Sequence, residues 1–149
     1  MTIKIIAKNK KAYFDYEIID KVEAGIELIG CEVKSVRAGD VSLRDGYARV
    51  DNGQIMMMGC YMAPYNLGGQ FTTIDPSRDR KILMKRKEID KWAKKVKEKG
   101  YTITPLKLYI KGHLVKIELG LAKSKQMHDK RATIKKRELG RELDRAKKY

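Results

Sequence analysis

The chain has 149 residues, which suits one domain, and its 42% hydrophobic content can fill one modest core. Cys31 and Cys60 show neither CxxC spacing nor neighbouring histidines, which argues against a zinc site and a disulfide framework. No stretch is apolar enough for a signal peptide or for a membrane span, so we expect a soluble, cytoplasmic protein without a membrane partner.

Nearly all of the excess positive charge lies in two segments. The net charge is +15, and residues 76–100 and residues 121–149 each hold 11 Lys or Arg against 4 Asp or Glu, whereas the rest holds 12 against 11. A lysine-rich surface that serves only solubility would spread its charge more evenly. The distribution therefore predicts two separate contacts with an anionic partner, most commonly a nucleic acid.

The residue pattern in the first half of the chain predicts mostly β-strands. Residues 13–29 are aromatic and β-branched, which predicts a strand that ends near Gly25. Residues 31–38 predict a short helix that stops at Gly39. Residues 41–50 and 54–62 flank Asn52-Gly53, a strong hairpin signal. The three methionines at 56–58 fit a buried strand better than a soft binding surface.

The next segment of the sequence predicts a basic helix. Asp75 or Ser77 can cap it, and Gly100 ends it. Its apolar residues recur at helical spacing and form one buried stripe, made of Ile82, Ile89, Trp92, Ala93 and Val96. Because Trp92 lies on this stripe, we predict a core residue rather than a platform for base stacking.

The last regular residue pattern in the sequence predicts a hairpin. Residues 106–110 and 115–121 alternate apolar and polar side chains around a turn at Gly112-His113. In total we count five or six strands, with a helical pair inserted before this hairpin. The predicted fold class is mainly β with flanking helices, closed as a small antiparallel β-barrel.

The strand pattern ends at Leu121, which predicts a β domain over residues 1–121 and a basic tail over residues 122–149. Leu139, Leu143 and Ala146 lie at helical spacing, but the stripe is narrow and Gly140 costs a helix about 1 kcal/mol. We predict a tail that is disordered when free and helical against an anionic surface. A C-terminal helix docked on the barrel is the alternative.

The sequence contains no enzyme signature. It has no phosphate-binding loop, no GxSxG elbow and no HExxH motif, and neither His113 nor His128 has a nucleophile beside it. No catalytic, cofactor-binding or metal-binding residues are expected. Short basic patches with polar and aromatic neighbours, at residues 9–11 and 32–37, indicate RNA binding without identifying the RNA.

Longer strings are more specific. NKKAYFDYEI, VEAGIELIGCEVKSVRAGDVSLRDGYARV, MAPY, DPSRDRKILMKRKEI, GYTITPLKLYIKG and HDKR occur in this order. Together they resemble the SsrA-binding protein (SmpB) family over essentially the whole chain. The resemblance implies a β-barrel that resembles an oligonucleotide-binding fold and binds the tRNA-like domain of transfer-messenger RNA (tmRNA). With elongation factor Tu, the complex would enter stalled ribosomes for trans-translation, and the tail would occupy the decoding centre and the message channel.

The resemblance also assigns residues. Its RNA-contacting surface falls on Asn9, Lys10, Lys11, Glu23, Lys34, Ser35, Arg37, Lys123 and Lys125. Its ribosome-binding tail motif falls on His128, Asp129, Lys130 and Arg131. Without the resemblance, Glu23 would be taken for an ordinary surface glutamate, although a carboxylate can accept hydrogen bonds from bases or 2′-hydroxyls.

The chain departs from the family pattern at Ser124 and Gln126, where a Gly-Lys-Lys run is usual, and at Cys31, which we interpret as a packing residue. A general RNA-binding or ribosome-associated protein without a dedicated tmRNA partner is the alternative function. An RNA-cleaving or RNA-modifying enzyme is a third class, which would turn over RNA by itself.

Overall fold

The computed structural model of the chain describes residues 2–64 and 75–125. Nine strands and three helices lie within them. The strands are β1 (Ile3–Lys8), β2 (Tyr16–Ile26), β3 (Val41–Ser42), β4 (Tyr47–Asp51), β5 (Gln54–Met58), β6 (Tyr61–Met62), β7 (Arg80–Leu83), β8 (Thr102–Lys111) and β9 (Leu114–Ser124). The helices are α1 (Lys10–Asp15), α2 (Gly30–Ala38) and α3 (Arg86–Lys99).

Six of the strands pair in a closed ring, in the order β8, β4, β5, β7, β2, β9 and back to β8. Strand β1 adds to the same edge of β8 that β4 uses, and β3 pairs with β6 in a separate two-stranded sheet. Every pairing is antiparallel. The predicted class, mainly β with helices, is confirmed, although the strands outnumber the five or six expected.

The final hairpin forms as its alternation predicts. Leu108 pairs with Ile117 and Ile103 pairs with Leu121, and all four side chains are buried. The turn contains Gly112 at a φ of 63°. Because side chains on a strand alternate between faces, the polar residues of both strands lie on the outer face of the ring.

The Asn52-Gly53 turn is also confirmed. Both residues have positive φ, 48° and 74°, as a two-residue hairpin turn requires. Met57 is fully buried in β5, as a buried strand predicts. The extended backbone is interrupted at Gly59, where φ is 69° and a Cβ would lie 2.7 Å from the carbonyl oxygen of Asp45. This close approach ends β5 and separates it from β6.

Two predicted boundaries are wrong near the N-terminus and before α3. The predicted strand over residues 13–29 begins only at Tyr16, because Lys10–Asp15 forms α1. Asp75 and Ser77 form a turn, in which the Ser77 N–H donates to Asp75 Oδ1 at 2.9 Å, and do not cap a helix. Ile82 then lies in β7, where it pairs with Ile26 and Ile55, so the predicted helical stripe began too early.

In the described part of the chain, α2 and α3 match the short helix and the basic helix predicted before the last hairpin. Ile89 and Trp92 are buried on one face, which confirms Trp92 as a core residue. Gly100 ends the helix at a φ of 68°. No helix in the described part of the chain is long and apolar enough to cross a membrane.

Strand β9 continues past the predicted domain boundary at residue 121. Ala122 is fully buried, and Ser124 pairs with Tyr16 of β2. The ordered pairing therefore reaches three residues further than the alternation of large apolar side chains indicates. Residues 126–149, which hold most of the predicted tail, lie outside the described residues.

Candidate nucleic-acid interface

Helix α1 presents two of the assigned lysines. Lys10 and Lys11 open the helix and both are exposed. The Nζ of Lys11 lies 3.9 Å from Asp45 Oδ1, and both side chains are well exposed to water, so this ion pair holds the lysine only weakly. A groove of about 690 Å³ runs between α1 and residues 41–44, and its lining includes Lys10, Lys11 and Arg44.

Asn9, to which the resemblance assigns an RNA contact, has several hydrogen-bond partners inside the protein. Its side chain is 3% exposed. The amide nitrogen donates to the carbonyl oxygens of Leu43 (3.1 Å) and Pro105 (2.9 Å), and Oδ1 accepts from the Ala12 N–H (3.2 Å). Asn9 therefore caps α1 and ties it to two distant segments. It thereby positions Lys10 and Lys11, while its RNA contact stays a prediction.

Helix α2 also carries both exposed and buried residues of the assigned RNA-contacting set. Lys34 and Arg37 are exposed on one side of the helix. Ser35 is 1% exposed on the other, and its hydroxyl donates to the carbonyl oxygens of Cys31 and Ala63. Ser35 is thus engaged inside the protein, and its RNA contact stays a prediction. Burial of this face fixes the direction in which Lys34 and Arg37 point.

A buried ion-pair network anchors α2. Glu32 accepts hydrogen bonds from Arg78 and from Nε of Arg80 at 2.6 Å, and its Oε1 also accepts from the Ile29 N–H at the start of the helix. Arg80 is fully buried and donates further to the carbonyl oxygens of Cys60 and Pro76. Burial opposes ionisation of Glu32, but these hydrogen bonds outweigh it and lower the pKa of the carboxyl.

Glu23 lies on the outer face of β2. Its carboxylate accepts a hydrogen bond from the hydroxyl of Tyr109 and lies 3.4 Å from Nζ of Lys111, both on β8. The Tyr109 bond, together with Lys111 and Lys116, lowers the pKa of Glu23 against the effect of desolvation. Burial and the bond to Glu23 raise the pKa of Tyr109. The carboxylate is therefore charged, oriented and still partly exposed.

The end of β9 brings its assigned lysines to α1. Lys123 pairs with Glu17 of β2, and the Lys125 N–H donates to the carbonyl oxygen of Asp15 at 3.1 Å. Asp15 is the last residue of α1, so Lys123 and Lys125 lie at the end of the ring that α1 flanks. His128, Asp129, Lys130 and Arg131, together with Gln126, lie outside the described residues.

Sequence reasoning missed three residues that position this surface. Tyr109 orients Glu23, while Arg78 and Arg80 hold α2 through Glu32. The Arg-x-Arg spacing at 78–80 is a usable signal, because residues two apart point to the same side of an extended chain. Tyr109 gave no such signal, since its partner lies 86 residues away.

The assembled surface suits recognition more than catalysis. Its exposed cations can contact phosphates, and the oriented carboxylate of Glu23 can accept hydrogen bonds from bases or 2′-hydroxyls. Among residues 2–64 and 75–125, no three His, Cys, Asp or Glu side chains are grouped so that they could hold a metal ion. Cys31 is half-buried and Cys60 buried, and both are free thiols.

The chain is similar to known proteins over nearly its whole length. A family model described as SmpB protein matches residues 6–149. The SsrA-binding protein of Carboxydothermus hydrogenoformans is 51% identical over 143 residues, covering 96% of this chain and 95% of that protein. The SsrA-binding protein of Macrococcus caseolyticus is 50% identical over 147 residues, covering 99% and 95%. That of Thermosynechococcus vestitus is 47% identical, covering 99% and 97%.

A solved structure agrees with the sequence relatives. A chain of the structure described as "tmRNA-SmpB: a journey to the center of the bacterial ribosome" superposes with a TM-score of 0.68 at 40% identity. The match covers 83% of this chain and 85% of the other. Fold and sequence therefore lead to the same family.

Proposed function

Because the chain belongs to the SmpB family, we propose that it binds the tRNA-like domain of tmRNA and delivers this RNA to stalled ribosomes for trans-translation. The observation that carries the proposal is the match over residues 6–149, together with near-complete coverage by relatives named SsrA-binding protein. The similarity to a chain from a tmRNA-SmpB ribosome structure supports it independently, through the fold.

In this proposal, the contact with tmRNA is made by one set of exposed or partly exposed residues. The set consists of Lys10, Lys11, Glu23, Lys34, Arg37, Lys123 and Lys125. Asn9 and Ser35 support this set from inside the protein, since both are buried and hydrogen-bonded. The lysines and Arg37 supply sequence-independent attraction to phosphates, and Glu23 supplies a directed acceptor.

Several finer features belong to the same proposal. The ring of six strands is a small closed barrel of the oligonucleotide-binding type, and the residues that follow β9 act as a basic tail. His128, Asp129, Lys130 and Arg131 engage the decoding centre, with the tail in the message channel, and elongation factor Tu accompanies the delivered complex. The protein acts in the cytoplasm by binding alone, without a cofactor or a catalytic step.

The test compares two RNAs of matched size and charge. The full-length protein is titrated with the tRNA-like domain of tmRNA and with an elongator tRNA, and RNA that copurifies from cells is sequenced. We expect tighter binding to the tRNA-like domain and enrichment of tmRNA. Equal affinity for both RNAs, with a broad copurifying mixture, would instead identify a general RNA-binding protein. Turnover of RNA by the protein alone would identify an enzyme.

A further inference from the structure

Strand β1 ends the main sheet, and among the described strands it pairs with β8 alone. Ile3 lies opposite Lys111, so Thr2 lies opposite Gly112, and the Gly112 N–H donates to the Thr2 carbonyl oxygen at 3.1 Å. Opposite residues on antiparallel strands alternate between hydrogen-bonded and non-hydrogen-bonded pairs. Ile3 and Ile5 therefore direct their N–H and C=O groups away from β8, toward the free side of β1. We define residues 3–5 as the β1 edge.

The side chains around the β1 edge form an exposed apolar patch. Ile3 and Ile5 are 54% and 46% exposed, and Leu114 at the start of β9 is 59% exposed. Ile3 and Leu114 both lie opposite Lys111 of β8, one on each side, so these side chains stand in one row on the outer face. Isolated exposed apolar residues are normal, but this group adjoins outward-facing backbone groups and forms a surface that another strand can cover.

The charge near the β1 edge is positive. Residues 1–11 hold four lysines and no acidic residue. Lys4, in the middle of the edge, is exposed, and no ion pair involves it among residues 2–64 and 75–125. Because side chains alternate along a strand, Lys4 lies on the opposite face from Ile3 and Ile5. A partner strand therefore gains from negative charge on the face that Lys4 occupies.

An extended protein segment fits these features better than RNA does. A strand matches N–H and C=O groups that recur along one edge, and its apolar side chains can pack on Ile3 and Ile5. Proteins bind unstacked RNA bases with aromatic rings or guanidinium planes, whereas this patch is made of aliphatic side chains. The SmpB family model matches from residue 6 onward, so the β1 edge lies outside the part of the chain that this model matches.

Charge disfavours two occupants that this chain itself could supply. A second copy would bring a further set of lysines to Lys4, and each copy carries a net charge of +15. Lysine on an edge strand is a common device against such self-pairing. Residues 126–149 hold 9 Lys or Arg against 4 Asp or Glu, so the C-terminal segment also has the same sign of charge. The complementary occupant is an acidic segment of another protein.

We propose that the β1 edge binds an extended acidic segment of a partner protein, which adds to β1 as a further antiparallel strand. Apolar and acidic residues alternate along this segment, so that the apolar ones pack on Ile3 and Ile5 and the acidic ones face Lys4. Backbone hydrogen bonds give the affinity, and the alternation sets the register. This contact adds a protein partner to the proposed RNA partner and stands whether or not that RNA is tmRNA.

Binding of synthetic peptides to the full-length protein, followed by fluorescence anisotropy, tests the contact. The probe is a capped eight-residue peptide in which valine and glutamate alternate. Three control peptides are methylated on the valine nitrogens, methylated on the glutamate nitrogens, or carry lysine in place of glutamate. The protein variants are K4E, I3S and K91E, the last being a matched charge reversal at an exposed lysine of α3. Thermal unfolding verifies that each variant folds.

The residues opposite Ile3 and Ile5 are valines in this arrangement, and their N–H groups donate to β1. We expect valine methylation to weaken binding about 10-fold, and glutamate methylation to change it by less than about twofold. K4E should weaken binding of the glutamate peptide about fivefold and strengthen binding of the lysine peptide, whereas K91E should leave both nearly unchanged. I3S should weaken binding of the glutamate peptide about fivefold.

Three results would overturn the proposal. Binding that is insensitive to methylation, or that falls equally in K4E and K91E, would show attraction by net charge alone. A dimer of the parent that I3S disrupts would identify a second copy as the occupant. Loss of tmRNA affinity in K4E and I3S without loss of peptide affinity would identify the edge as an RNA-binding surface. Failure of the parent to prefer tmRNA bears on the proposed function alone, because the peptide measurement does not involve RNA.

Discussion

The hydroxyl of Tyr109 donates a hydrogen bond to the carboxylate of Glu23 across the outer face of the ring. Tyr109 is 6% exposed, whereas the side chain of Glu23 is 40% exposed. A buried tyrosine thus holds a carboxylate that is open to an incoming RNA. The bond restricts the rotamers of Glu23 before binding, which lowers the entropic cost of using it as an acceptor.

Replacing Tyr109→Phe should weaken tmRNA binding while leaving the fold intact. The ring stays in place and the hydroxyl that orients Glu23 is lost, which corresponds to about 1 kcal/mol, or about fivefold in affinity. Titration of the tRNA-like domain measures the loss.

A double-mutant cycle with Glu23→Gln separates positioning from a direct contact by Tyr109. If the hydroxyl acts through Glu23, Y109F should change affinity little in the E23Q background. Additive losses would show that Tyr109 contributes to RNA binding on its own.

The Glu32 network predicts a large stability effect. Glu32→Gln leaves the buried guanidinium of Arg80 without its charge partner, and breaking a buried pair of this kind typically costs about 3–5 kcal/mol. Urea unfolding near neutral pH measures the loss. Asp90→Asn is the matched control, since its pair with Arg86 is exposed on both sides and should contribute only about 0.3–0.5 kcal/mol.

The same network predicts acid sensitivity. The folded-state pKa of Glu32 is lowered from 4.5, so the unfolded chain takes up the proton first as pH falls. The stability contributed by the pairs is therefore present above the unfolded pKa and is lost as pH falls through the folded pKa. Denaturant titrations at a series of pH values should show that the difference between parent and E32Q shrinks in acid. A difference that is constant with pH would contradict an ionised Glu32.

Because Asn9 is buried and Lys10 is exposed, we expect substitutions of these adjacent residues to have different effects on stability and on RNA binding. Asn9→Ala removes the cap of α1 and two buried hydrogen bonds, and we expect a loss of about 2–3 kcal/mol in unfolding free energy. Lys10→Ala should leave stability within about 0.5 kcal/mol and lower tmRNA affinity. An N9A protein of parental stability with weakened RNA binding would instead support the direct contact that the resemblance implies.

Asn9 also shows why part of the fold and site is predictable and part is not. Local signals succeeded where the cause is local: Asn52-Gly53 adopts positive φ, Gly100 ends α3, and Trp92 lies on the buried stripe. The strand at Ile82 and the inward amide of Asn9 depend on partners far along the chain, including Pro105, 96 residues from Asn9. Periodicity does not carry such contacts, so the internal hydrogen bonds of Asn9 could not be predicted from the sequence.

The two cysteines should differ sharply in reactivity. Burial raises the pKa of the Cys60 thiol from 9.0 to about 11, with Glu32 adding to the effect and Arg80 opposing it, whereas Cys31 is half-buried. A thiol reagent applied to the native protein near pH 8 should label Cys31 and leave Cys60 protected, because the thiolate is the reactive form. Cys31→Ser should then abolish native labelling, and urea should expose Cys60. Labelling of Cys60 in the native protein at the same rate would contradict its burial.

The extent of β9 predicts where the tail can be removed. Ala122 is fully buried and Ser124 pairs with Tyr16, so a chain ending at Leu121 loses part of the ring, whereas a chain ending at Lys125 keeps it. We expect the 1–125 protein to retain parental thermal stability and tmRNA affinity but to fail in tagging on stalled ribosomes. The 1–121 protein should lose stability and tmRNA affinity together, since it also lacks Lys123 and Lys125.

In the full chain, Lys130→Glu with Arg131→Glu should reproduce the tagging defect of the 1–125 protein without affecting tmRNA affinity. Normal tagging by the 1–125 protein would show that the ring alone serves the ribosome.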